Sequence, residues 1–174
     1  EIYSRSEIFI QRWGVRIDNK KKEENFLDVD MPVILCTRST KPIYDIETVI
    51  RAMPLVLDQI DVLFVFTNPG FKSVKSISEK NYMITGFLPR EDYLSLLKSA
   101  DLYIDPFYPS DGRGGQAFGQ ALLEAMADGV PTIVADRPTL HLSPEWYHGE
   151  IFKGGNHVEL ADKIVALIEN GVKY

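Results

Sequence analysis

Val33-Ile34-Leu35-Cys36-Thr37 decides the fold. It is a continuous run without a charge, the pattern of a strand covered on both faces. Next, Ile46, Val49, Ile50, Met53, Leu57 and Ile60 recur at helical spacing and form one apolar stripe. Pro54 interrupts that stripe and predicts a kink. Val62-Leu63-Phe64-Val65-Phe66 then repeats the buried-strand pattern, and Thr67-Asn68-Pro69-Gly70 closes it with turn residues.

The alternation continues outward. Residues 71–82 are polar, with only Val74 and Ile77 hinting at a helix. Met83-Ile84-Thr85 is a short strand stopped by Gly86. Pro89 is expected at the first helical position, before an apolar face of Tyr93, Leu94, Leu97 and Ala100. Leu102-Tyr103-Ile104 is a strand, Asp105 to Gln116 a glycine-rich loop, and Ala117 to Ala127 a helix with Gly129 as its C-cap. Thr132-Ile133-Val134-Ala135 and Glu150-Ile151-Phe152 are strands. Asn156 with Glu159 forms a capping box, and Leu160, Ile164, Leu167 and Ile168 stripe the last helix.

This order predicts an α/β fold: a single Rossmann-like domain, with a parallel sheet of about six strands and helices on both faces. Residues 1–30 read as an N-terminal arm or linker, including the mixed-charge run Asp18 to Asn25, and residues 31–174 as the domain. Such sheets bind ligands at the carboxyl ends of their strands, near a topological switch point. The loops after Thr37, Phe66, Thr85, Ile104 and Ala135 are therefore the ones to search.

The chain has 174 residues, 45% hydrophobic and 25% charged, with a net charge of −6. That length supports one self-sufficient core. The acidic balance argues against a nucleic-acid partner, which needs a basic face, but leaves room for a local cationic pocket. Cys36 is the only cysteine, so no internal disulfide can form and a reducing, cytoplasmic location is expected. No apolar run reaches the ~18 residues of a membrane span, and no signal peptide opens the chain. The chain begins at Glu1, as expected of a domain excised from a longer protein. His141, His148 and His157 lack metal-ligand spacing, and Asp28-Val29-Asp30 sits in a polar linker, so no metal is expected. His141 and Glu145 follow a strand end and are placed near the cleft.

Two loops carry chemistry. Arg38 and Lys41 follow the first strand, and two cations there suit a diphosphate. The second loop runs through Gly112, Gly114 and Gly115 to Gln116, and a helix follows, offering unpaired N–H groups to a phosphate. Gly119 in the first turn would leave room for a bound group. Glu124 lies on the face of Ala117 with its side chain tilted toward the helix start, where it could accept hydrogen bonds from a ribose diol.

Leu122-Leu123-Glu124-Ala125-Met126-Ala127-Asp128-Gly129-Val130-Pro131-Thr132-Ile133-Val134 resembles the "LLEAMA-x-G-x-PV(I/V)" signature of retaining glycosyltransferases with the GT-B architecture, the glycogen-synthase and mannosyltransferase-like group. Phe118-Gly119, Ala100-Asp101-Leu102-Tyr103-Ile104-Asp105-Pro106, Thr85-Gly86-Phe87-Leu88-Pro89, Asn68-Pro69-Gly70, Arg38 and Trp13-Gly14-Val15-Arg16-Ile17-Asp18 resemble further family motifs, in order. The resemblance implies the C-terminal, donor-binding half of such an enzyme, transferring a hexosyl group from a UDP- or GDP-linked sugar with retention and without a metal or other cofactor. Arg38 and Lys41 would hold the diphosphate, backbone near Phe87 the base, backbone at Gly115, Ala117, Phe118 and Gly119 the sugar and phosphate, and Glu124 the ribose. An N-terminal acceptor domain would complete the enzyme, so this chain alone is expected to be inactive. Peripheral membrane association of the parent stays compatible with the absence of a span.

The sequence departs from that family at three places. Gln116 stands where the family has the first Glu of its Glu-x7-Glu pair. Tyr44-Asp45 stands where the family has its Glu-Lys, leaving Lys41 as a substitute, and residues 71–82 are short for a crossover helix. Two alternatives remain. Gly112-Arg113-Gly114-Gly115-Gln116-Ala117 with Asp136 satisfies the dinucleotide (NAD-type) fingerprint, although its first Gly lies well past the strand end. A non-catalytic nucleotide-sugar binding module is the other.

Overall fold

The structure, a computed structural model, describes residues 26–68, 77–108, 119–141 and 147–171. Six strands form the sheet: β1 Val33–Cys36, β2 Leu63–Phe66, β3 Tyr82–Ile84, β4 Leu102–Asp105, β5 Thr132–Ala135 and β6 Glu150–Phe152. They lie in the order β3-β2-β1-β4-β5-β6, and every pairing is parallel. The helices are α1 Ile46–Leu57, α2 Arg90–Ser99, α3 Gln120–Ala127, a single turn α4 Pro138–His141, and α5 His157–Asn170. A 3-10 turn, Pro42–Tyr44, precedes α1.

The apolar runs resolve into two cores, because neighbouring strand residues point to opposite faces. Ile34, Cys36, Phe64, Phe66, Ile104 and Ile133 face α1 and α5. Val33, Leu35, Val65, Tyr103 and Val134 face α2 and α3. Phe26, Leu27, Val29 and Met31 pack against this second core, while Asp28 and Asp30 are exposed.

Three local expectations need correction. Helix α1 ends at Leu57, so Ile60, read as part of its apolar stripe, lies beyond it; Pro54 sits inside the helix. Pro89 is the N-cap of α2, not its first helical residue, because its backbone is extended there (ψ 151°). Gly119, expected in the first turn of its helix, is likewise an extended N-cap, and α3 begins at Gln120. At the other end of α3, Gly129 takes φ +71°. Val130 N–H reaches back to the Ala125 carbonyl and Gly129 N–H to that of Met126, the Schellman pattern that glycine favours. Half of the expected capping box is present: Glu159 N–H donates to Asn156 Oδ1 at 3.2 Å, whereas Glu159 Oε2 accepts from Asn156 Nδ2 at 3.1 Å and the Asn156 backbone N–H turns to the Lys153 carbonyl.

The strand order reverses between β1 and β4, whose chain continuations diverge to opposite sides of the sheet. This is the switch point, and residues just past the ends of β1 and β4 border it.

Burial pushes the Cys36 thiol up to about 12. The folded chain is therefore expected to resist a thiol reagent at about pH 8, reacting only as it opens. Labelling as fast as that of free cysteine would show that β1 is not covered.

Candidate functional site at the strand switch point

Arg38 lies two residues past β1, and Asp105 ends β4 across the switch point. Arg38 Nε donates to Asp105 Oδ1 at 2.7 Å and Nη2 donates to Oδ2 at 2.8 Å, a bidentate pair. Arg137, two residues past β5, donates from Nη2 to the same Oδ2 at 3.1 Å and from Nη1 to the Phe107 carbonyl at 3.3 Å. Phe107 N–H adds a contact of 3.4 Å to Oδ1. Asp105 is fully buried, and the side chains of Arg137 and Arg38 are 1% and 12% exposed. Burial alone would raise the Asp105 pKa; the hydrogen bonds and charge of Arg38, with the charge of Arg137, outweigh it and hold the carboxyl below its usual range. Burial opposes the charge on Arg38, but its bonds to Asp105 outweigh that and raise its pKa. Asp105 is thus shared between two guanidiniums.

Arg38 is enclosed on its other sides. Its Cζ lies 5.2 Å from the Tyr44 ring centroid and 5.9 Å from that of Phe107. A Cβ at Gly119 would fall 2.2 Å from Nη2 and 2.9 Å from both Cζ and Nη1, so glycine is what lets the start of α3 close on the guanidinium. Among the described residues Arg38 Nη1 donates no hydrogen bond. Lys41 is exposed at the N-cap of the 3-10 turn.

Glu124 is 3% exposed on α3 and held by a second ion pair. Arg90 Nη1 donates to Oε2 at 3.1 Å, Arg90 Nη2 donates to Oε1, and Gln120 Nε2 donates to Oε1 at 2.9 Å. Burial pushes the Tyr93 hydroxyl upward, and the Glu124 charge adds to it. Glu124 is thus a buried carboxylate that accepts three hydrogen bonds from side chains. Phe87, past β3, is 82% exposed. Gly115, Gln116, Ala117 and Phe118 lie outside the described residues, as do Glu145, Gly112 and Gly114. His141 bonds Asp136 from Nε2 at 2.6 Å on the surface.

The chain matches the family model of glycosyl transferases group 1 over residues 17–174. It belongs to that family. The domain is 35% identical over 77 residues to a phosphatidyl-myo-inositol mannosyltransferase of Mycobacterium leprae (strain TN), a stretch covering 44% of this chain and 19% of that protein. Its fold is similar to that of S. aureus TarM, a mutant solved in complex with fondaparinux, α-GlcNAc-glycerol and UDP (TM-score 0.74, 19% identity, 98% of this chain, 34% of that one). It is also similar to sucrose-phosphate synthase from Thermosynechococcus elongatus (0.63, 22%, 83% and 38%). A third likeness is to the catalytic domain of the Helicobacter pylori cholesterol-α-glucosyltransferase (0.62, 21%, 80% and 87%). These structures establish a fold like one half of a GT-B glycosyltransferase. This glycosyltransferase domain thus spans about a fifth of the curated relative and under two-fifths of TarM and the synthase.

Of the glycosyltransferase residues expected from sequence, Arg38 and Gly119 come together, and Glu124 lies further along α3. Asp105, Arg137 and Arg90 were missed as site residues. A charge closing an otherwise apolar strand was a usable signal for Asp105; Arg137 and Arg90 gave none.

Two measurements probe this site. Gly119→Ala is expected to cost about 1–3 kcal/mol, because the Cβ must displace a pinned guanidinium; a thermal melt reads it. The Asp105 carboxyl is depressed, so its contribution is complete above the ordinary aspartate value of about 3.9 and is lost as pH falls toward the lower folded value. Denaturant melts should show that contribution flat from about pH 7 to 5 and declining below about pH 4, with Asp105→Asn lacking the acid limb. That variant should also cost about 3–5 kcal/mol at neutral pH, by removing the carboxylate that Arg38 and Arg137 both bond.

Proposed function

We propose that this domain binds the nucleotide-diphosphate sugar donor of a retaining hexosyltransferase, with Arg38 at the diphosphate. One observation carries this: Arg38 stands at the switch point, and among the described residues its Nη1 donates no hydrogen bond. In the reaction the bond from the anomeric carbon to the phosphate oxygen breaks. Its electron pair stays on the diphosphate, where Arg38, aided by Lys41, stabilises the growing charge. The sugar passes to an acceptor hydroxyl on the same face, whose oxygen forms the new bond to the anomeric carbon and whose proton goes to the departing diphosphate oxygen. Charge neutralisation by arginine and lysine makes a metal unnecessary, and no other cofactor is needed. The mannosyltransferase relative and the UDP in the TarM complex support a UDP- or GDP-linked donor.

Glu124 would meet the ribose. A carboxylate has about four acceptor positions, and Arg90 and Gln120 occupy three of them, leaving one for a hydroxyl. Phe87 and its backbone would meet the base; Gly115, Ala117, Phe118 and Gly119 the sugar and phosphate; and Gln116 a sugar hydroxyl. An acceptor domain across the cleft would supply the second substrate, so the domain alone would bind donor without transferring it. Its single cysteine suits a cytoplasmic setting. No helix among the described residues is long and apolar enough to cross a membrane, and peripheral association of the whole protein is compatible with that.

Calorimetric titration with UDP, GDP, ADP and NAD tests the proposal. One nucleoside diphosphate should bind, and Arg38→Ala and Glu124→Ala should each weaken it by about tenfold or more. Tight NAD binding, indifferent to both substitutions, would sink it.

A further inference from the structure

Asp105 at first looks out of place beside Arg38. A fully buried carboxylate cancels one positive charge at a site proposed to hold an anion. Its contacts suggest what it does there. Oδ1 takes Arg38 Nε and the Phe107 N–H, and Oδ2 takes Arg38 Nη2 and Arg137 Nη2, which fills about four acceptor positions. The carboxylate is saturated, so it has nothing to offer an incoming ligand. Arg38 is not saturated: its Nη1 faces the start of α3, across the space that Gly119 leaves free.

We propose that Asp105 and Arg137 are positioning residues: Asp105 fixes the Arg38 guanidinium with Nη1 presented to the diphosphate, and Arg137 holds Asp105 in place. The inference rests on the reading of Arg38 as the diphosphate contact. A free arginine side chain loses rotamer freedom when it captures an anion, about 0.5–1.5 kcal/mol for each immobilised side chain. Here that ordering is already built into the fold. Two bonds define the guanidinium plane, and the neighbouring rings of Tyr44 and Phe107 lie against it. Arg137 is itself held by Asp105 and by the Phe107 carbonyl, and its ring contact is to the same Phe107 at 5.3 Å. It therefore steadies Asp105 from inside.

Charge and positioning predict opposite signs. If Asp105 acted only through its field, Asp105→Asn would remove a negative charge and tighten anion binding. If it positions Arg38, the same substitution weakens binding. The chain is titrated with inorganic pyrophosphate, UDP and GDP, comparing wild type, Asp105→Asn and Arg137→Lys, each verified by a cooperative melt. Asp105→Asn is expected to weaken pyrophosphate binding about tenfold or more, and with it the nucleoside diphosphate. Arg137→Lys keeps the charge but loses the planar fork that holds Asp105, and is expected to weaken binding as well. Equal or tighter binding by Asp105→Asn overturns the inference alone. A wild-type chain that binds none of the three overturns the diphosphate reading, and the inference with it. If Asp105→Asn does not fold, the Arg38 Nε–H resonance of the wild type decides. It should hold its position when pyrophosphate saturates the site; a large shift marks release from Asp105 and overturns the inference.

Discussion

A fully buried carboxylate can exist only where donors surround it, and Asp105 has them from three directions. That requirement ties the ends of three neighbouring strands together. Arg38 continues β1, Asp105 closes β4, and Arg137 follows β5. The carboxyl edge of the sheet is therefore held at its centre by charge rather than by apolar packing. Such a network adds little net stability, since the desolvation of three ions offsets most of their attraction, and apolar side chains of similar volume would often serve as well. What it supplies is a defined arrangement of charges at the place where a doubly wound sheet receives its ligand.

At the amino edge a smaller version operates. Asp101 Oδ2 accepts the Val33 backbone N–H at 2.8 Å, and Asp101 N–H donates to the Val33 carbonyl. β1 and β4 are thus joined at both ends across the point where the strand order reverses. The second core, with Leu35 and Tyr103 side by side in register, fills the space between.

The architecture was legible because each strand was announced by a run such as Val62 to Phe66 and each helix by spacing such as Leu160, Ile164 and Leu167. Local chemistry was legible in part: Asn156 caps α5 by accepting the Glu159 N–H, as its type and place imply, while Glu159 meets the Asn156 side chain instead of its backbone N–H. The failures were at helix starts and at long range. Gly119 was read as making room for a ligand, but it makes room first for Arg38, a residue 81 positions earlier that only the closed sheet brings near. Glu124 was identified by its place on α3, whereas its partner Arg90 belongs to another helix start, 34 positions away. No window of sequence contains both members of such a pair, so residue type and direction were accessible and the partner was not.

Helix α5 packs against α1 and completes the same core face, where Leu160, Ala161, Ile164 and Val165 join Val49, Met53 and Ile34. On a ribosome this order has a cost. β1, α1 and β2 emerge early, with α1 alone to cover this side of the sheet until the residues of α5 have followed them out. The share of that face that α5 covers stays open through the synthesis of more than fifty further residues after β4, from Pro106 to Leu160. The early half of this fold is therefore a natural client for a chaperone that shields nascent chains, and its vulnerability ends with the arrival of a single helix.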